Sequence, residues 1–578
     1  MDFGPNPNLI HETTMQDIKP FSKKRIAART LVDQLRIHGV DHVFCVPGES
    51  YLAVLDALYD SDISVTVCRQ EGGATMMAEA YGKLTGRPAA CFVTRAPGAT
   101  NATPGVHIAY HDSTPLLLFV GQIARGMRER DALQELDYRA MFRPLAKWAT
   151  EIDDPDRIPE IISRAVRLSI SGRPGPVVMA LPEDMLVQTT EARDGRPMQA
   201  IEAYPGSNQI DQLRILLMQA ERPLIVLGGS RWTAESVRQL TDIAGQWQIP
   251  VTVTLRRQML FPTDHSSFIG DLGFGPDPKL VQHVKRSDLV LLIGSRMSEV
   301  PSQGYTLFDI PVPEQTLVHV YPDPSELGRV YSPDLAINAS PPAFIDALSG
   351  LDLPKSASRA EYLESGRRQY LSWSDPSQIR SPGRLQMARI MSYLDSRLPD
   401  DAIVCNGAGN YATWVHRFHR FRKFGTQLAP TSGSMGYGVP AAVAAKRILP
   451  ERTVIAFAGD GCFLMNGQEF ATAVQYGLAI IVILVDNGMF GTIRMHQERE
   501  YPGRVSATQL HNPDFSAYAQ AFGGHGERVE STDEFPDAFE RALASKKPAI
   551  IHCLIDPEAI NPSYTLASVR ESAIAAGR

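Results

Sequence analysis

The sequence predicts an α/β protein of three doubly wound parallel-sheet domains, and three observations predict it. Thr453 to Ala458 (TVIAFA) and Leu478 to Val485 (LAIIVILV) are unbroken apolar runs, as strands of a parallel sheet buried on both faces should be. Asn466 to Tyr476 lies between them with the length and spacing of a crossover helix, which makes the unit βαβ. The same alternation of apolar run, Gly-containing turn and helix recurs near the start and in the middle of the chain. At 578 residues and 44% hydrophobic content the chain is long enough for about three such cores.

In order, residues 1–21 read as a polar, Pro-containing arm, and residues 22–190 as the first domain. That domain carries Ile63 to Cys68 as a strand, then a helix opened by Arg69-Gln70-Glu71-Gly72-Gly73-Ala74, with Met77, Ala78 and Tyr81 at helical spacing. Ala89 to Thr94 is the next strand, and Ala96 to Asn101 reads as a Gly-containing turn. A helix follows, then the run Pro115 to Val120, leading into Gly121-Gln122. A Gly/Arg/Pro-rich connector precedes the central domain, residues 209–350. Its strands are Pro223 to Val226, Pro250 to Thr254, Leu289 to Gly294 and Thr316 to Tyr321. Residues 351–382 read as a polar linker, 383–556 as the third domain, and 557–578 as a tail that either closes over the site or frays. The first and third domains share a plan without sharing a sequence period.

The chemistry concentrates in Gly459-Asp460-Gly461-Cys462 and Val485-Asp486-Asn487. Neighbouring parallel strands lie roughly 5 Å apart. Asp460 and Asn487 should therefore emerge together at the carboxyl edge of the sheet, where open α/β sheets bind ligands. A carboxylate and an amide oxygen suit Mg²⁺, which usually holds a phosphate as well. A lone GDG is only a turn signal; the upstream Glu71 strengthens the reading. Glu71 stands in a helix's first turn, where a carboxylate compensates the helix dipole, and it faces the Gly98-Ala99-Thr100-Asn101 segment.

Composition excludes other classes. The formal charge of −7 and the absence of a basic cluster argue against nucleic acid as a partner. Cys45, Cys68, Cys91, Cys405, Cys462 and Cys553 lie mostly in strand-like runs without metal spacing, as buried thiols of a reducing compartment would. The N-terminal stretch lacks an apolar signal core and no run reaches transmembrane length, so the expectation is a cytoplasmic protein without membrane contact.

Glu71, Gly98 to Asn101, Gly121-Gln122, Thr431-Ser432-Gly433-Ser434-Met435-Gly436-Tyr437-Gly438 and the GDG…DN pair occur in an order that resembles the thiamin diphosphate-dependent enzymes of the acetolactate synthase, 2-hydroxyacyl-CoA lyase and benzoylformate decarboxylase superfamily. The likeness runs from about Arg25 to Asp556. It implies that the outer domains grip the two ends of thiamin diphosphate across a dimer interface, in a homodimer or homotetramer. Glu71 would hydrogen-bond the aminopyrimidine ring and favour the tautomer that removes the thiazolium C2 proton. Met435 would bend the cofactor; Asp460, Asn487 and the Met489 carbonyl would ligate Mg²⁺. Gly459, Gly461, Cys462, Ser434, Asn410 and Tyr411 would lie about the diphosphate, and Gln122 on the substrate approach.

The departures concern substrate. Asp486-Asn487 replaces the usual Asn-Asn pair, with the ligating Asn kept. His496 stands where acetolactate synthases place a Trp, and Leu133 where they place a Phe. Glu49 follows Pro47-Gly48, a position at which pyruvate-type decarboxylases carry a proton-relaying acid; a capping role is the other reading. His107 and His111, i and i+4, share a helix face turned to the cleft or to surface and core. In the central domain Gly228-Gly229-Ser230 is present, but Tyr321 stands where an acid would meet a ribose and the Gly294 to Glu299 loop lacks the family's following Arg. Both weigh against bound FAD or ADP. The expectation is an acetolactate synthase-like enzyme acting on a small 2-keto acid. The alternatives are a 2-hydroxyacyl-CoA lyase, a 2-keto acid decarboxylase, or a silent homologous subunit, which intact Glu71, Met435, Asp460 and Asn487 oppose.

Overall fold

The computed structural model describes residues 24–578; the expected N-terminal arm and the start of the first domain at residue 22 lie outside them. Three six-stranded sheets, parallel throughout, form three domains. In the first sheet the strands run Ser64–Val67, His42–Cys45, Ala90–Val93, Leu116–Gln122, Pro176–Pro182, Trp148–Glu151. In the third they run Gln427–Leu428, Ile403–Asn406, Val454–Gly459, Ile481–Asp486, Ala549–Leu554, His525–Val529. Counted along each domain, both read 2-1-3-4-6-5, so the shared plan is a shared topology. The central sheet reads 3-2-1-4-5-6, the order of dinucleotide-binding domains.

The continuous apolar runs are strands because both faces are covered: every residue of Val454–Gly459 and Ile481–Asp486 is buried. One hydrophobic cluster joins the outer domains, with Met76, Ala80 and Tyr81 of the helix Glu71–Thr85 packed with Val439, Ala442 and Val443 of the helix Gly438–Ile448.

Four local expectations change. Ala96 to Asn101 is the start of the helix Ala96–Asp112, because Pro97 fits a first helical turn, where its missing N–H is not needed. Gly121-Gln122 closes the strand Leu116–Gln122 instead of turning away from it. The crossover at Asn466 splits into Asp460–Phe463 and Glu469–Gln475 around the turn-favouring Asn466-Gly467 pair. The polar linker contains the helix Ala357–Trp373, whose Tyr362 stacks on His283 at 3.9 Å and whose Tyr370 meets Phe268 edge-on at 4.9 Å. Its charged exposed face hides those two anchors from a reading by polarity. The tail is ordered as well: Leu566–Ala575 packs on the helix Gly491–Glu500.

Candidate active site

In the third sheet Gly459 pairs with Val485, so Asp460 and Asp486 leave neighbouring strands side by side and Asn487 follows. The Asn512 amide nitrogen donates to both carboxylates, at 2.7 Å to Asp460 and 2.9 Å to Asp486. Asp486 also accepts from the Gly488 N–H at 2.8 Å and from His552 Nε2 at 2.9 Å. The other His552 nitrogen faces the Phe515 N–H at 3.3 Å, which leaves Nε2 as the donor to Asp486. Burial and the neighbouring Asp486 push the Asp460 carboxyl up to about 6. Burial acts the same way on Asp486, but the bonds from His552, Gly488 and Asn512 outweigh it and hold that carboxyl below its ordinary range. Asp460 is 3% exposed, and no lysine or arginine among the described residues is a main influence on its charge. A buried carboxylate in that condition calls for a cation.

Met489 forms an isolated antiparallel bridge with Gln509, held by Phe490 N–H to Thr508 and Leu510 N–H to Gly488. The bridge leaves the Met489 carbonyl out of its hydrogen bonds; among the described residues that oxygen accepts only the Gly491 N–H, at 2.9 Å. One carboxylate, one amide oxygen and one carbonyl fit Mg²⁺, which takes few protein ligands and completes its shell with water and phosphate. Among the described residues no group of three His, Cys, Asp or Glu side chains competes as a metal site.

Asp460, Asn487 and Met489 line a cavity of about 260 Å³ together with Gly459, Gly461, Cys462, Asn410, Tyr411 and Met435. Cys462 Sγ accepts the Gly436 N–H at 3.2 Å and lies 3.3 Å from the Tyr411 hydroxyl, which ties the Met435 loop to the GDG turn. Ser434 is half-buried beside Met435 and outside the cavity's lining. Ile560 of the tail completes one wall.

Glu71, Gly98 and Asn101 form a second group, at the carboxyl edge of the first sheet. Glu71 is 9% exposed and accepts from the Asn101 amide at 3.1 Å. A Cβ on Gly98 would lie 3.3 Å from the Glu71 carboxylate and 3.0 Å from Thr94, so glycine keeps that approach open. The position of Glu71 is set by Glu469 of the third domain, which accepts the Arg69 and Gln70 N–H groups at 3.0 and 2.9 Å. No residue of this group lines the cavity around Asp460 within the same chain.

Gln122 and Glu49 lie, like Glu71, at the carboxyl edge of the first sheet, and His496 is on the helix Gly491–Glu500, whose opening residues line the Asp460 cavity. Gln122 is 4% exposed and its amide is committed, donating to the Leu136 carbonyl and accepting from Ile123 N–H, each at 2.9 Å. Glu49 opens a short 3₁₀ turn without capping it; its side chain is 75% exposed, 3.8 Å from Arg95. His496 is on the exposed face of its helix, 3.4 Å from Arg499. The rings of His107 and His111 lie 4.3 Å apart, and His111 borders a central-domain crevice. Asn512, His552 and Glu469 were not legible as site residues. No spacing marks Asn512, His552 or Glu469; in the fold Glu469 packs on Gly73, where a Cβ would lie 2.5 Å from its carboxylate.

Comparison with known proteins gives the family of all three domains. Residues 25–141, 210–348 and 407–553 match the family models described as thiamine pyrophosphate enzyme, N-terminal TPP binding domain, central domain and C-terminal TPP binding domain. The chain is 32% identical to the acetolactate synthase large subunit of Corynebacterium glutamicum, over 93% of this chain and 88% of that protein. It is 30% identical to the acetolactate synthase isozyme 2 large subunit of Escherichia coli (92% and 95%) and 30% identical to a probable acetolactate synthase large subunit of Methanocaldococcus jannaschii (92% and 92%).

Proposed function

Because this chain belongs to the thiamine pyrophosphate enzymes, we propose that it joins small 2-keto acids as the acetolactate synthases do, with thiamin diphosphate held through Mg²⁺ by Asp460, Asn487 and the Met489 carbonyl. It is a thiamin diphosphate-dependent carboligase by family. The observation that carries the site assignment is the cavity in which those three ligands meet Tyr411 and Met435 at the carboxyl edge of the third sheet. When bound, thiamin diphosphate supplies a carbon nucleophile able to attack a carbonyl. The protein's part is to bind, orient and manage protons. Asp460 and Asn487 anchor the charged end, Asn512 keeps Asp460 turned to the cavity, and Met435 shapes the apolar wall.

Glu71 would hydrogen-bond the aminopyrimidine ring of the bound cofactor and share its proton, a task for a carboxyl that can both accept and donate. Asn101 and Glu469 keep it in place. Since Glu71 and the Asp460 cavity are not joined within one chain, a second copy completes the site, and the assembly is a homodimer or homotetramer. We place the enzyme in a reducing compartment, the cytoplasm, because all six cysteines are buried free thiols. Among the described residues no helix is long and apolar enough to cross a membrane.

Product analysis after incubation with pyruvate, a 2-hydroxyacyl-CoA and benzoylformate tests the reading. Acetolactate from pyruvate, unaffected by Glu49→Gln, is the expected result. Cleavage or simple decarboxylation that Glu49→Gln and His496→Trp suppress would instead establish the lyase or decarboxylase alternative.

A further inference from the structure

The central sheet reverses its strand order between Pro223–Leu227 and Leu289–Ile293, the place where sheets of this order take dinucleotides. The residues present do not fit one. The two glycine turns at the switch point close on each other: a Cβ on Gly229 would lie 1.8 Å from the Gly294 carbonyl oxygen. The carbonyls of the first turn are already taken, Gly228 by the Trp232 indole N–H at 2.8 Å and Gly229 by Arg257 Nε at 2.9 Å. The strand Thr316–Tyr321 ends on buried Tyr321, not on an acid that could accept from ribose. Asp323, just beyond, accepts the N–H and hydroxyl of Ser325 at 3.0 and 2.7 Å.

Two cavities border Gly229, one of about 590 Å³ and a more polar one of about 400 Å³ bordered by His111, Arg257, Arg296, Ser295, Thr431 and Ser432. Arg257 is 4% exposed and donates only to carbonyl oxygens, those of Gly229, Arg256 and Asp112. Arg296 donates to the His111 carbonyl at 2.7 Å. Neither guanidinium has a carboxylate at hydrogen-bond distance among the described residues. The Asp112 carboxylate lies 3.8 Å from Arg257 and is held by Lys83 and by Thr431. Glu299 stands on the exposed rim. The Ser432 hydroxyl is buried and unpartnered. Arginine keeps its charge even when buried, and guanidinium forks match the paired oxygens of phosphate and carboxylate.

We propose that this crevice binds a compact dianion, a phosphate group or a short dicarboxylate, through Arg257, Arg296 and Ser432, and takes neither FAD nor ADP. Its position has a consequence. Asp112 ends the helix that begins beside Glu71, and Thr431-Ser432 leads into the Met435 loop. A bound anion therefore touches segments that run to both cofactor-binding groups.

The test titrates inorganic phosphate, succinate, ADP and FAD separately by calorimetry into the holoenzyme saturated with thiamin diphosphate and Mg²⁺, as wild type, Arg296→Gln and Ser432→Ala. Phosphate or succinate should bind, the binding arm identifying the class. Arg296→Gln should weaken it by about 10- to 100-fold, and Ser432→Ala by about 2- to 10-fold. Circular dichroism checks each variant's fold; should Arg296→Gln misfold, Ser432→Ala decides. The proposal is overturned if neither anion binds, if the folded variants bind as wild type does, or if ADP or FAD binds more tightly than both anions.

Discussion

The first and third domains are built on one strand order and do different chemistry at the same edge. In the third, Asp460, Asn487 and the Met489 carbonyl converge on a cavity. In the first, a single carboxylate, Glu71, sits in a helix's opening turn with one amide partner. The topology carries both groups to carboxyl edges; the residues at the strand ends decide what each edge does. The two edges are also coupled, since Glu469 of the third domain holds the backbone that presents Glu71. On the proposed function, one domain would anchor the charged end of the cofactor and the other would move a proton.

That division is open to test at each edge. The largest effect is expected from Glu71→Gln, which should keep cofactor binding but slow exchange of the thiazolium C2 proton by about 10²–10⁴-fold, read by quenched-flow NMR. Unchanged exchange would reduce Glu71 to a helix-end carboxylate. Asp460→Ala should do the reverse and lower thiamin diphosphate affinity by more than about 100-fold in calorimetry with Mg²⁺ present, with the fold retained. If both variants lost binding equally, the edges would not be specialised.

A smaller effect sharpens the third domain's side of the contrast. Asn512→Ala removes the amide shared by Asp460 and Asp486 and should weaken Mg²⁺ binding by about 10–100-fold, as loss of a ligand's supporting hydrogen bond does. Metal titration followed by tryptophan fluorescence would read it, and an unchanged affinity would leave Asp460 self-supporting.

The smallest effect concerns the tail. Buried Glu498 accepts from Arg570 at 2.7 and 2.8 Å, which with the Gly503 N–H and Arg494 holds its carboxyl at about 2 against an ordinary 4.5. A depressed carboxyl stabilises the folded state above about pH 4.5, and the contribution fades as pH falls towards 2. Protection of the Leu566–Ala575 amides, relative to their intrinsic exchange rates at each pH, should fall over that window. At neutral pH, Arg570→Gln should lower protection there by about 1–3 kcal/mol. Equal protection in both proteins would show that apolar contacts alone hold the tail.

Much of this was written locally. The apolar runs around Asp460 and Asn487 declare buried parallel strands because a strand covered on both faces needs no polar residue. A period-2 partner is not required, so run length alone suffices. Asp460, Asn487 and Glu71 were legible because each follows a strand or opens a helix at a place set by one βαβ unit. The helix at Ala96 and the one at Ala357 were not. In the first, Pro and Gly imitate a turn while filling a helix's opening residues; in the second, two tyrosines on an otherwise charged helix find their partners only across the fold.

The sequence by itself determined the α/β class, the three cores and the carboxylate–amide pair, all consequences of periodicity and spacing within some thirty residues of chain. Tertiary structure alone decided the rest. Asn512, His552 and Glu469 reach their partners through packing between distant segments. One wall of the central crevice forms where Gly229 and Gly294, far apart in sequence, meet backbone to backbone. Glu49, Gln122 and His496 carry side chains suited to catalysis, and what each touches within the chain (Arg95, the Leu136 carbonyl and Arg499) was not readable from spacing. A residue's type states what it can do; only its neighbours, brought together by long-range packing, state what it is left free to do.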